Sequence, residues 1–313
     1  MAIVNESNQN EETFGRTGYV AIAGKPNVGK STLLNALLGQ KVAAVTYRPQ
    51  TTRKQQLGIL TRTEAQTLSQ AIFIDTPGIH EPFHLLGERM NSEAAAALDD
   101  ADLVLILTDA ARPPDENDHR LADAVADHAP TAPKLLVFNK IDQVSPETLE
   151  DHLREFAEIF PAIDTLRISA LRGDNLDVLV EAIFTRLPEG PPFFPPDQVT
   201  DLYEREIAAD LIREAALLHL RDEVPHSLAV RIDQFKERGD SGAFIEATLF
   251  VERDSQIGIV VGSGGEKLKQ IGTHARKEIE AMSGRKIHLQ LRVKLRKNWR
   301  SDPGTLNKFG FSK

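Results

Sequence analysis

The octapeptide GKPNVGKS at residues 24–31 fits the pattern GxxxxGK[ST] of a phosphate-binding loop. It follows a short apolar run at 18–24, which predicts a strand, and it leads into residues 31–38, which have the apolar spacing of a helix. In this setting the glycines let backbone N–H groups converge on phosphate oxygens. The sequence therefore predicts that Lys30 reaches the β- and γ-phosphates of a nucleotide and that the Ser31 hydroxyl binds Mg²⁺.

Strand and helix patterns alternate after this loop. A strand pair is predicted at 56–61 and 71–74, and further strands are predicted at 103–107, 134–138 and 166–169. Helix patterns follow the later strands. This alternation predicts an α/β P-loop domain with a mostly parallel sheet and helices on both faces, in which ligands bind at the carboxyl ends of the strands.

Three further motifs come directly after predicted strands. DTPG at 75–78 offers an Asp that can hold Mg²⁺ through water and a glycine N–H that can contact the γ-phosphate. In NKID at 139–142, the Asp142 carboxylate can accept hydrogen bonds from N1–H and the 2-amino group of guanine, whereas adenine offers neither donor. SAL at 169–171 can present a backbone N–H to guanine O6. Each motif is weak alone, but four in this order predict a GTP-binding domain.

The predicted nucleotide site gathers these motifs. Asn139 is expected to tie its loop to the phosphate loop, and the stem of Lys140 is expected to cover the base. The predicted contacts to GTP or GDP are Gly24, Lys25, Pro26, Asn27, Val28, Gly29, Lys30, Ser31, Thr32, Asp75, Gly78, Asn139, Lys140, Asp142, Ser169, Ala170 and Leu171.

The motifs of this domain resemble those of the translation-factor-related class of P-loop GTPases. QTTR at 50–53 resembles the switch I element of that class, in which one threonine closes on Mg²⁺ when GTP is bound. We favour Thr52 for this role and keep Thr51 as the alternative. The resemblance thus implies a Mg²⁺ site made by Ser31, Thr52 and, through water, Asp75.

Ile79 occupies the position where many small GTPases carry a glutamine that orients water. A branched alkyl side chain cannot do this, so the chain resembles the subclass with a hydrophobic residue there. Several members of that subclass with Asn in the phosphate loop use K⁺, and Asn27 matches that position, although Asn27 could instead serve only a turn. The resemblance implies slow intrinsic hydrolysis assisted by Lys30, Asn27, Thr52 and Gly78, with K⁺ as a further cofactor.

The segment LPEGPPFFPPDQ at 187–198 contains five prolines. Helix and strand interiors do not tolerate that density, so it predicts a stiff linker at 188–200 and a domain boundary. The polar residues 1–15 are predicted to form a disordered tail. The nucleotide-binding domain then covers 16–187, and a second domain covers 201–313.

The second domain has its own order of elements, with the glycine pattern GSGG at 262–265 between two helix patterns. A GxxG loop can let a nucleic-acid backbone approach closely, as in KH domains, although the pattern is also an ordinary turn. The order helix, strand, strand, helix, GxxG, helix, strand is that of a type II KH domain. The elements are predicted at 201–220 (with Asp201 as N-cap), 227–235, 243–252, 257–261, 266–282 and 286–295.

Charge is distributed unevenly along the chain. The net charge is −9, but residues 256–313 carry 13 Lys and Arg against 4 Asp and Glu. A basic end on an acidic body indicates an anionic partner, although it could also be a solvated face. No cysteine is present, which excludes disulfide partners, cysteine-ligated zinc and thiol catalysis and fits a reducing cytosol. No apolar run approaches the length of a membrane span.

Together, GKPNVGKSTLLNALLGQ, QTTR, DTPGIH, NKID and a single C-terminal KH pattern resemble the Era family of bacterial GTPases from about residue 17 to residue 300. The resemblance implies a monomer in the cytoplasm, with peripheral membrane contact left open. It implies that the KH domain binds the 3′ end of 16S ribosomal RNA and that the protein assists maturation of the small ribosomal subunit. The RNA contacts implied are Gly262, Ser263, Gly264, Gly265, Lys267, Lys269, Arg276, Arg292 and Lys294.

Two positions depart from the family pattern. Ser263-Gly264 replaces a loop interior that usually has a basic residue, and Arg292 replaces a residue that is often aromatic. Trp299 is consistent either with stacking on a base or with core packing. The sequence lacks the second phosphate loop of a tandem-domain ribosome GTPase and the catalytic cysteine of a tRNA-modifying relative. An RNA-binding protein with incidental hydrolysis, or a GTPase whose second domain docks a protein, remains an alternative.

Overall fold

The computed structural model describes residues 14–46, 52–64, 67–79, 81–161, 163–221, 223–238 and 242–311. Within these ranges the chain forms a six-stranded sheet and a three-stranded sheet, each with its own hydrophobic core. The elements of the first domain are β1 (Thr17–Ala23), α1 (Lys30–Leu38), β2 (Gln56–Glu64), β3 (Thr67–Asp75), α2 (Leu85–Asp99), β4 (Leu103–Asp109), α3 (Glu116–His128), β5 (Lys134–Asn139), α4 (Pro146–Ile159), β6 (Asp164–Arg167) and α5 (Leu176–Phe184).

The first sheet has the strand order β2-β3-β1-β4-β5-β6. Only β2 runs antiparallel to its neighbour; the other pairs are parallel. Its central strands are apolar on both faces because helices cover both: α1 and α5 pack on one side, and α2, α3 and α4 on the other. The predicted α/β architecture is confirmed. The carboxyl ends of β1, β3, β5 and β6 lie at one edge, where the four motifs follow them.

The proline-rich segment 188–200 runs along the first domain. The Thr17 N–H donates to the Pro188 carbonyl at 2.9 Å, and the Ile59 N–H donates to the Val199 carbonyl at 2.7 Å. The buried Gln70 side chain accepts hydrogen bonds from the Phe193 and Phe194 N–H groups. The segment is therefore fastened to the sheet by its backbone. Of the predicted tail, residues 1–13 lie outside the described residues, and the Gly15 carbonyl accepts from Gly190 N–H.

The second domain contains α6 (Glu204–His219), β7 (Ala229–Glu237), β8 (Ala243–Val251), α7 (Asp254–Val261), α8 (Glu266–Ser283), β9 (Ile287–Leu295) and α9 (Pro303–Lys308). Strand β8 lies between β7, which is antiparallel to it, and β9, which is parallel to it. Helices α6 and α8 supply most of the core on one face of this sheet. The predicted order of elements is confirmed.

The predicted N-cap of α6 was wrong. The helix begins at Glu204 after Tyr203, and the Asp201 carboxylate instead accepts a hydrogen bond from the Leu57 N–H at 3.2 Å. The Glu206 carboxylate caps the helix by accepting from the Tyr203 N–H at 3.2 Å. Asp201 therefore fastens the end of the linker to β2.

A third apolar cluster joins the two domains. Leu86 and Met90 of α2 pack with Phe250, Trp299 and Phe311 of the second domain. This cluster places α2, which follows the DTPG motif, directly on the second domain. Within the described ranges, none of the helices combines the length and apolar character needed to cross a bilayer.

Candidate nucleotide site and nucleic-acid interface

The loop at residues 24–31 connects β1 to α1 in a shape that depends on its glycines. Gly29 has φ of 103°, and a Cβ added there would lie 2.4 Å from Asn139 Nδ2. A Cβ at Gly24 would lie 2.5 Å from the Leu107 carbonyl oxygen. Pro26 and Thr32 line a small cleft beside the loop. The sequence places glycine where the loop meets neighbouring strands and where the backbone is left-handed.

The Lys30 side chain is buried and folds back over the loop. Its Nζ donates to the carbonyls of Gly24 at 2.9 Å and Lys25 at 3.0 Å. Burial lowers the pKa of Lys30 to about 8, against an opposing effect of Asp75. A phosphate would offer this ammonium a stronger acceptor than a backbone carbonyl, so the lysine is arranged to bind anions.

Three oxygen ligands predicted for Mg²⁺ converge from separate elements. Ser31 Oγ lies 2.8 Å from Thr52 Oγ1 and 2.9 Å from Asp75 Oδ2, and Thr52 Oγ1 lies 3.1 Å from the same carboxylate oxygen. The other oxygen, Asp75 Oδ1, is buried and has no hydrogen-bond partner among the described residues. Burial raises the pKa of Asp75, with Lys30 opposing. Hard oxygen donors and an unpaired buried oxygen fit Mg²⁺. Thr51, the alternative ligand, lies outside the described residues.

The NKID and SAL loops form one hydrogen-bonded unit with the phosphate loop. Asn139 Nδ2 donates to the Val28 carbonyl at 2.9 Å, and its Oδ1 accepts from the Ala170 N–H at 2.9 Å. Ser169 Oγ donates to Asp142 Oδ1 at 2.6 Å. The structure thus places Asn139 between the two loops, as its predicted role requires. It leaves Leu171 largely exposed.

Lys140 connects to the phosphate loop through its ammonium group. Nζ donates to the Asn27 carbonyl at 2.6 Å and to Asp109 Oδ2 at 2.7 Å. Both Lys140 and Asn27 have φ of 67°. The Asn27 side chain is on the exposed surface of the loop. The side-chain amide of Asn27 is therefore available to a ligand, because Lys140 bonds to the backbone carbonyl of Asn27.

Two charged contacts of this site were missed by the sequence analysis. Lys25 Nζ pairs with Asp115 at 2.9 Å and with Asp118 at 2.6 Å, at the start of α3. Arg172 Nε lies 3.7 Å from Asp142 Oδ2. The Asp115–Asp118 capping box is a sequence signal for the start of α3. No local pattern shows that Lys25, from a distant part of the chain, pairs with it.

DTPG closes against the phosphate loop. A Cβ at Gly78 would lie 2.7 Å from the Pro26 backbone nitrogen, so only glycine fits without a shift. The next side chain, Ile79, is buried and packs with Ala94 and Leu98 of α2. It serves the core, and it offers no polar atom to a water molecule.

The GSGG loop joins α7 to α8 in a conformation that needs glycine. Gly262, Gly264 and Gly265 have φ of 74°, 57° and 83°. A Cβ at Gly264 or Gly265 would meet nothing within 4 Å, so the outer side of the loop is open. Ser263 lies in the 3-10 turn of this loop. A backbone so exposed can approach a nucleic-acid backbone.

A cleft of about 410 Å³ runs from this loop along α8 to β9. Apolar atoms of Leu268, Leu289 and Leu291 line it together with Lys269 and Arg276. Apolar walls with cations at the edge suit unstacked bases and a phosphate backbone. We call this cleft the α8 groove.

The predicted RNA contacts do not all reach the α8 groove. Arg292 and Lys294 alternate with Leu289 and Leu291 along β9, so they lie on the opposite face of the sheet. Arg292 pairs with Glu246 of β8 at 2.5 Å. RNA contact by Arg292 and Lys294 therefore stays a prediction for a face of the sheet other than the α8 groove. An alternating strand cannot present both sets of side chains to one groove.

The remaining cations differ in how they are paired. Arg276 forms an ion pair with Glu280 at 3.1 Å, one turn along α8. Within the described part of the chain, Lys267 and Lys269 form no ion pair, although Lys267 Nζ lies 3.5 Å from Gln270 Oε1. These two lysines are the cations available to phosphates beside the loop.

Trp299 belongs to the core. Its side chain is fully buried, and Nε1 donates to the Ser227 carbonyl at 2.7 Å. It packs against Phe309 and Phe311. Of the two interpretations of this residue, core packing is the one that the structure supports.

The switch I segment, residues 39–55 between α1 and β2, is held by the second domain. Lys41 Nζ lies 2.7 Å from Glu214 of α6 and 2.7 Å from Glu278 of α8. The second oxygen of Glu214 accepts from the Val45 N–H at 3.1 Å. Buried Arg53 donates to the carbonyls of Leu228 at 2.7 Å and His226 at 2.9 Å. These contacts could not be read from local sequence patterns.

Helix α2 is held in a similar way. Arg89 is buried, and its Nη1 donates to Asn307 Oδ1 at 2.8 Å and to the Phe311 carbonyl. Both segments that flank the Ser31–Thr52–Asp75 cluster thus contact the second domain.

Both domains of this chain match families of known proteins. Residues 19–140 match the family described as 50S ribosome-binding GTPase, and residues 223–300 match the KH domain family. The protein named GTPase Era from Heliobacterium modesticaldum is 43% identical over 296 residues, covering 95% of this chain and 97% of that protein. GTPase Era from Geobacter metallireducens is 44% identical over 298 residues, covering 95% and 98%.

Two solved structures match nearly the whole chain. One is a variant of Aquifex aeolicus Era bound to GDP and AlF4⁻, with a TM-score of 0.88 and 39% identity, covering 95% of this chain and all of that one. The other is Era in complex with MgGDPNP and nucleotides 1506–1542 of 16S ribosomal RNA, with a TM-score of 0.89 and 39% identity, covering 96% and 100%. The similarity therefore includes both domains and their connection.

Proposed function

This chain belongs to the Era family of GTPases, and we propose that it is a GTP-hydrolysing switch that binds the 3′ region of 16S ribosomal RNA and assists assembly of the small ribosomal subunit. The observation that carries the proposal is the geometry of switch I. Thr52 lies in the Ser31–Asp75 cluster, and the next residue, Arg53, is buried in the second domain. One short segment thus connects the nucleotide site to the domain that contains the α8 groove.

The nucleotide site performs binding with its own residues. Lys30 exchanges the carbonyls of Gly24 and Lys25 for phosphate oxygens, and the loop N–H groups hold the remaining phosphate charge. Ser31, Thr52 and, through water, Asp75 would hold Mg²⁺, which neutralises phosphate charge when bound. The relatives solved with MgGDPNP and with GDP·AlF4⁻ support this assignment.

Selection of guanine falls to Asp142. Its carboxylate can accept two hydrogen bonds from guanine, and Ser169 Oγ fixes it at 2.6 Å. The Ala170 N–H donates to Asn139 Oδ1, and this bond orders the loop at 169–171 that would meet guanine O6. Adenine would leave the carboxylate without its partners.

Hydrolysis proceeds slowly and without a glutamine, with K⁺ at Asn27 as the assisting cation. The exposed Asn27 amide supports the K⁺ site. The burial of Ile79 in the core supports hydrolysis without a glutamine at that position. The test compares initial rates in KCl and NaCl at equal ionic strength, with Asn27→Ala as the control variant. We expect the natural chain to hydrolyse GTP several-fold faster in KCl than in NaCl. Asn27→Ala should hydrolyse GTP at equal rates in the two salts. Equal rates in both salts for the natural chain would contradict the role of K⁺.

RNA binding is assigned to residues 201–313, beyond the linker at 188–200. The complex of a 39% identical relative with 16S RNA supports small-subunit RNA as the partner. The name of the broader GTPase family mentions the 50S subunit, but that match covers only residues 19–140 and does not include the KH domain. We give more weight to the relative that covers both domains.

Coupling of the two sites depends on the contacts of switch I and α2. When GTP and Mg²⁺ bind, Thr52 closes onto the phosphates and switch I moves with it. The contacts of Lys41, Val45 and Arg53 with the second domain then either break or move α6 and α8 with switch I. Since α8 begins at the GSGG loop, a change of nucleotide state changes the RNA surface.

We place the protein in the cytoplasm as a monomer, and vesicle sedimentation with anionic lipid tests peripheral membrane contact.

Filter binding with the 3′ segment of 16S RNA tests the proposal directly. Affinity is measured with GDPNP and with GDP, in the natural chain and in Lys41→Met. We expect a difference of about tenfold between the nucleotides, corresponding to about 1.4 kcal/mol, and a smaller difference in Lys41→Met. Absence of salt-dependent RNA binding in both states would favour the protein-docking alternative.

A further inference from the structure

A second cavity, which we call the Arg53 cavity, lies where switch I meets the second domain. It has a volume of about 480 Å³ and is lined by residues 53–56, by α6, by the start of β7 and by residues 308–311. No residue of the phosphate loop at 24–31 contributes to its walls. It is therefore separate from the nucleotide site, although its wall begins one residue after Thr52.

Positive charge dominates the Arg53 cavity. Among the described residues that line it, six cations face two carboxylates, Glu206 and Asp210. One of these cations, Arg231, is paired with Asp233 outside the lining, at 2.6 Å. The six cations are Arg53, Lys54, Arg205, Arg213, Arg231 and Lys308.

Two of these cations are buried. Arg53 and Arg213 are each 5% exposed. Arg53 gives two of its N–H groups to neutral carbonyls, and its Nε has no hydrogen-bond partner among the described residues. Burial first, and then the neighbouring Arg213, hold the pKa of Arg53 well below its usual value. Carbonyls satisfy hydrogen bonds without cancelling charge, so an anion would stabilise this arrangement.

The two carboxylates differ in what they neutralise. Glu206 accepts a hydrogen bond from the Tyr203 N–H as part of the α6 cap. Burial raises the pKa of Asp210, and the neighbouring Arg213, Lys54 and Arg53 oppose that rise, so Asp210 is the counter-charge of the buried arginines. Among the described residues, the lining cations that form no ion pair are therefore at the rim: Lys54, Arg205 and Lys308.

The rim and walls suit a small organic anion. Lys54, Arg205 and Lys308 are exposed, and Lys54 and Lys308 form no ion pair within the described ranges. Phe309 and Phe311 contribute aromatic surface to the same cavity. A volume of 480 Å³ lies within the range of pockets that hold small ligands.

We propose that the Arg53 cavity binds a small phosphate ester, with Arg205 and Lys308 holding the phosphate at the rim and the aromatic wall holding the organic part. Such a ligand contacts switch I and the second domain together, so it restrains their relative movement. Binding itself does not depend on the proposed function; only the consequence of this restraint for the GTPase switch does.

Phenyl phosphate is a suitable probe because it combines a phosphate monoester with an aromatic ring. The full chain is first saturated with Mg·GDP so that the phosphate loop is filled, and phenyl phosphate, inorganic phosphate and phenol are titrated by calorimetry. We expect one site for phenyl phosphate, weaker binding of inorganic phosphate and no measurable binding of phenol. Absence of phenyl phosphate binding would overturn the proposal.

The double variant Arg205→Gln/Lys308→Gln tests the location. It removes two exposed charges, and binding of phenyl phosphate should weaken at least tenfold. Arg154→Gln/Lys236→Gln removes two exposed charges outside the cavity and should change affinity less than twofold. Equal affinity in the two double variants would overturn the assignment. GTP hydrolysis without probe is measured in parallel, so a failure of GTPase activity is recognised separately.

Discussion

The candidate nucleotide site and the α8 groove present polar groups to a phosphate in different ways. In the nucleotide site, Lys30, Asp75 and Asn139 are buried, and each is held by hydrogen bonds to the phosphate loop at 24–31. In the α8 groove, Lys269 stands beside an open glycine loop, and Arg276 is paired with its own helix. The first site is fixed by buried polar groups, and the second by shape and exposed charge.

This difference predicts how each site responds to change. A buried polar group that loses its partner costs its full desolvation penalty, so single substitutions at the nucleotide site should have large effects. Exposed cations beside a polymer share their role with neighbours and compete with salt ions, so each should have a small effect. The contrast should therefore be greatest between the guanine-binding carboxylate and a single lysine of the α8 groove.

Asp142→Asn should have the largest effect. Replacing the carboxylate removes an acceptor for guanine N1–H and the 2-amino group, and we expect GTP affinity to fall at least 100-fold. Xanthine carries a carbonyl oxygen where guanine carries the amino group, so affinity for XTP should rise. Competition against fluorescent GDP and XDP measures both. Unchanged GTP affinity would remove Asp142 from the base site.

Gly78→Ala should separate hydrolysis from binding. The added methyl carbon would lie 2.7 Å from the Pro26 backbone nitrogen, so DTPG must shift away from the loop. A shift of this size can reduce hydrolysis on the order of 100-fold. GDP affinity should stay within about threefold, because GDP lacks the γ-phosphate.

The control for this variant is Gly258→Ala, where an added methyl meets nothing within 4 Å. Single-turnover hydrolysis and GDP dissociation are measured for both. Equal hydrolysis rates in the two variants would show that the close contact between Gly78 and Pro26 has no catalytic consequence.

The pH dependence of GDP affinity should report Lys30. Its pKa is about 8 in the free site because of burial, and a bound phosphate favours the charged ammonium. Affinity should therefore be constant below pH 7 and decline above pH 8, by roughly tenfold at pH 9. Fluorescent GDP titrations between pH 6.5 and 9 check this. An affinity that does not change between pH 7 and 9 would contradict it.

Lys269→Ala should have the smallest effect. Loss of one exposed phosphate contact should weaken RNA binding about two- to fivefold and lower the slope of log affinity against log salt by about 0.7. Filter binding from 50 to 300 mM KCl gives both quantities. Arg292→Ala is the matched comparison, because Arg292 lies on the other face of β9 and pairs with Glu246. A larger loss in Arg292→Ala would show that RNA extends onto that face.

Local sequence patterns determined much of this protein. The phosphate loop, the three motifs at strand ends and the order of elements in the KH domain follow from periodicity and spacing, because hydrogen bonding between near neighbours sets them. Glycines at 29, 264 and 265 occupy left-handed positions that few other residues accept. The fold class and the main residues of the nucleotide site can therefore be predicted from local patterns alone.

Other features were decided by contacts between segments far apart in the chain. Glu206 caps α6 in place of Asp201, because the Asp201 carboxylate accepts a hydrogen bond from the Leu57 N–H of β2. Trp299 became core, and Arg292 and Lys294 lay away from the groove, because sheet packing sets which face is covered.

The phosphate loop at 24–31 shows the same division. Sequence alone predicts that Lys30 and Ser31 contact a nucleotide, since the loop forms its own binding surface. Only the tertiary structure joined that loop to the second domain through Thr52 and Arg53, because ion pairs and burial between domains leave no local pattern. The sequence thus determined what the first site binds, and the packing of the two domains determined what else can respond to it.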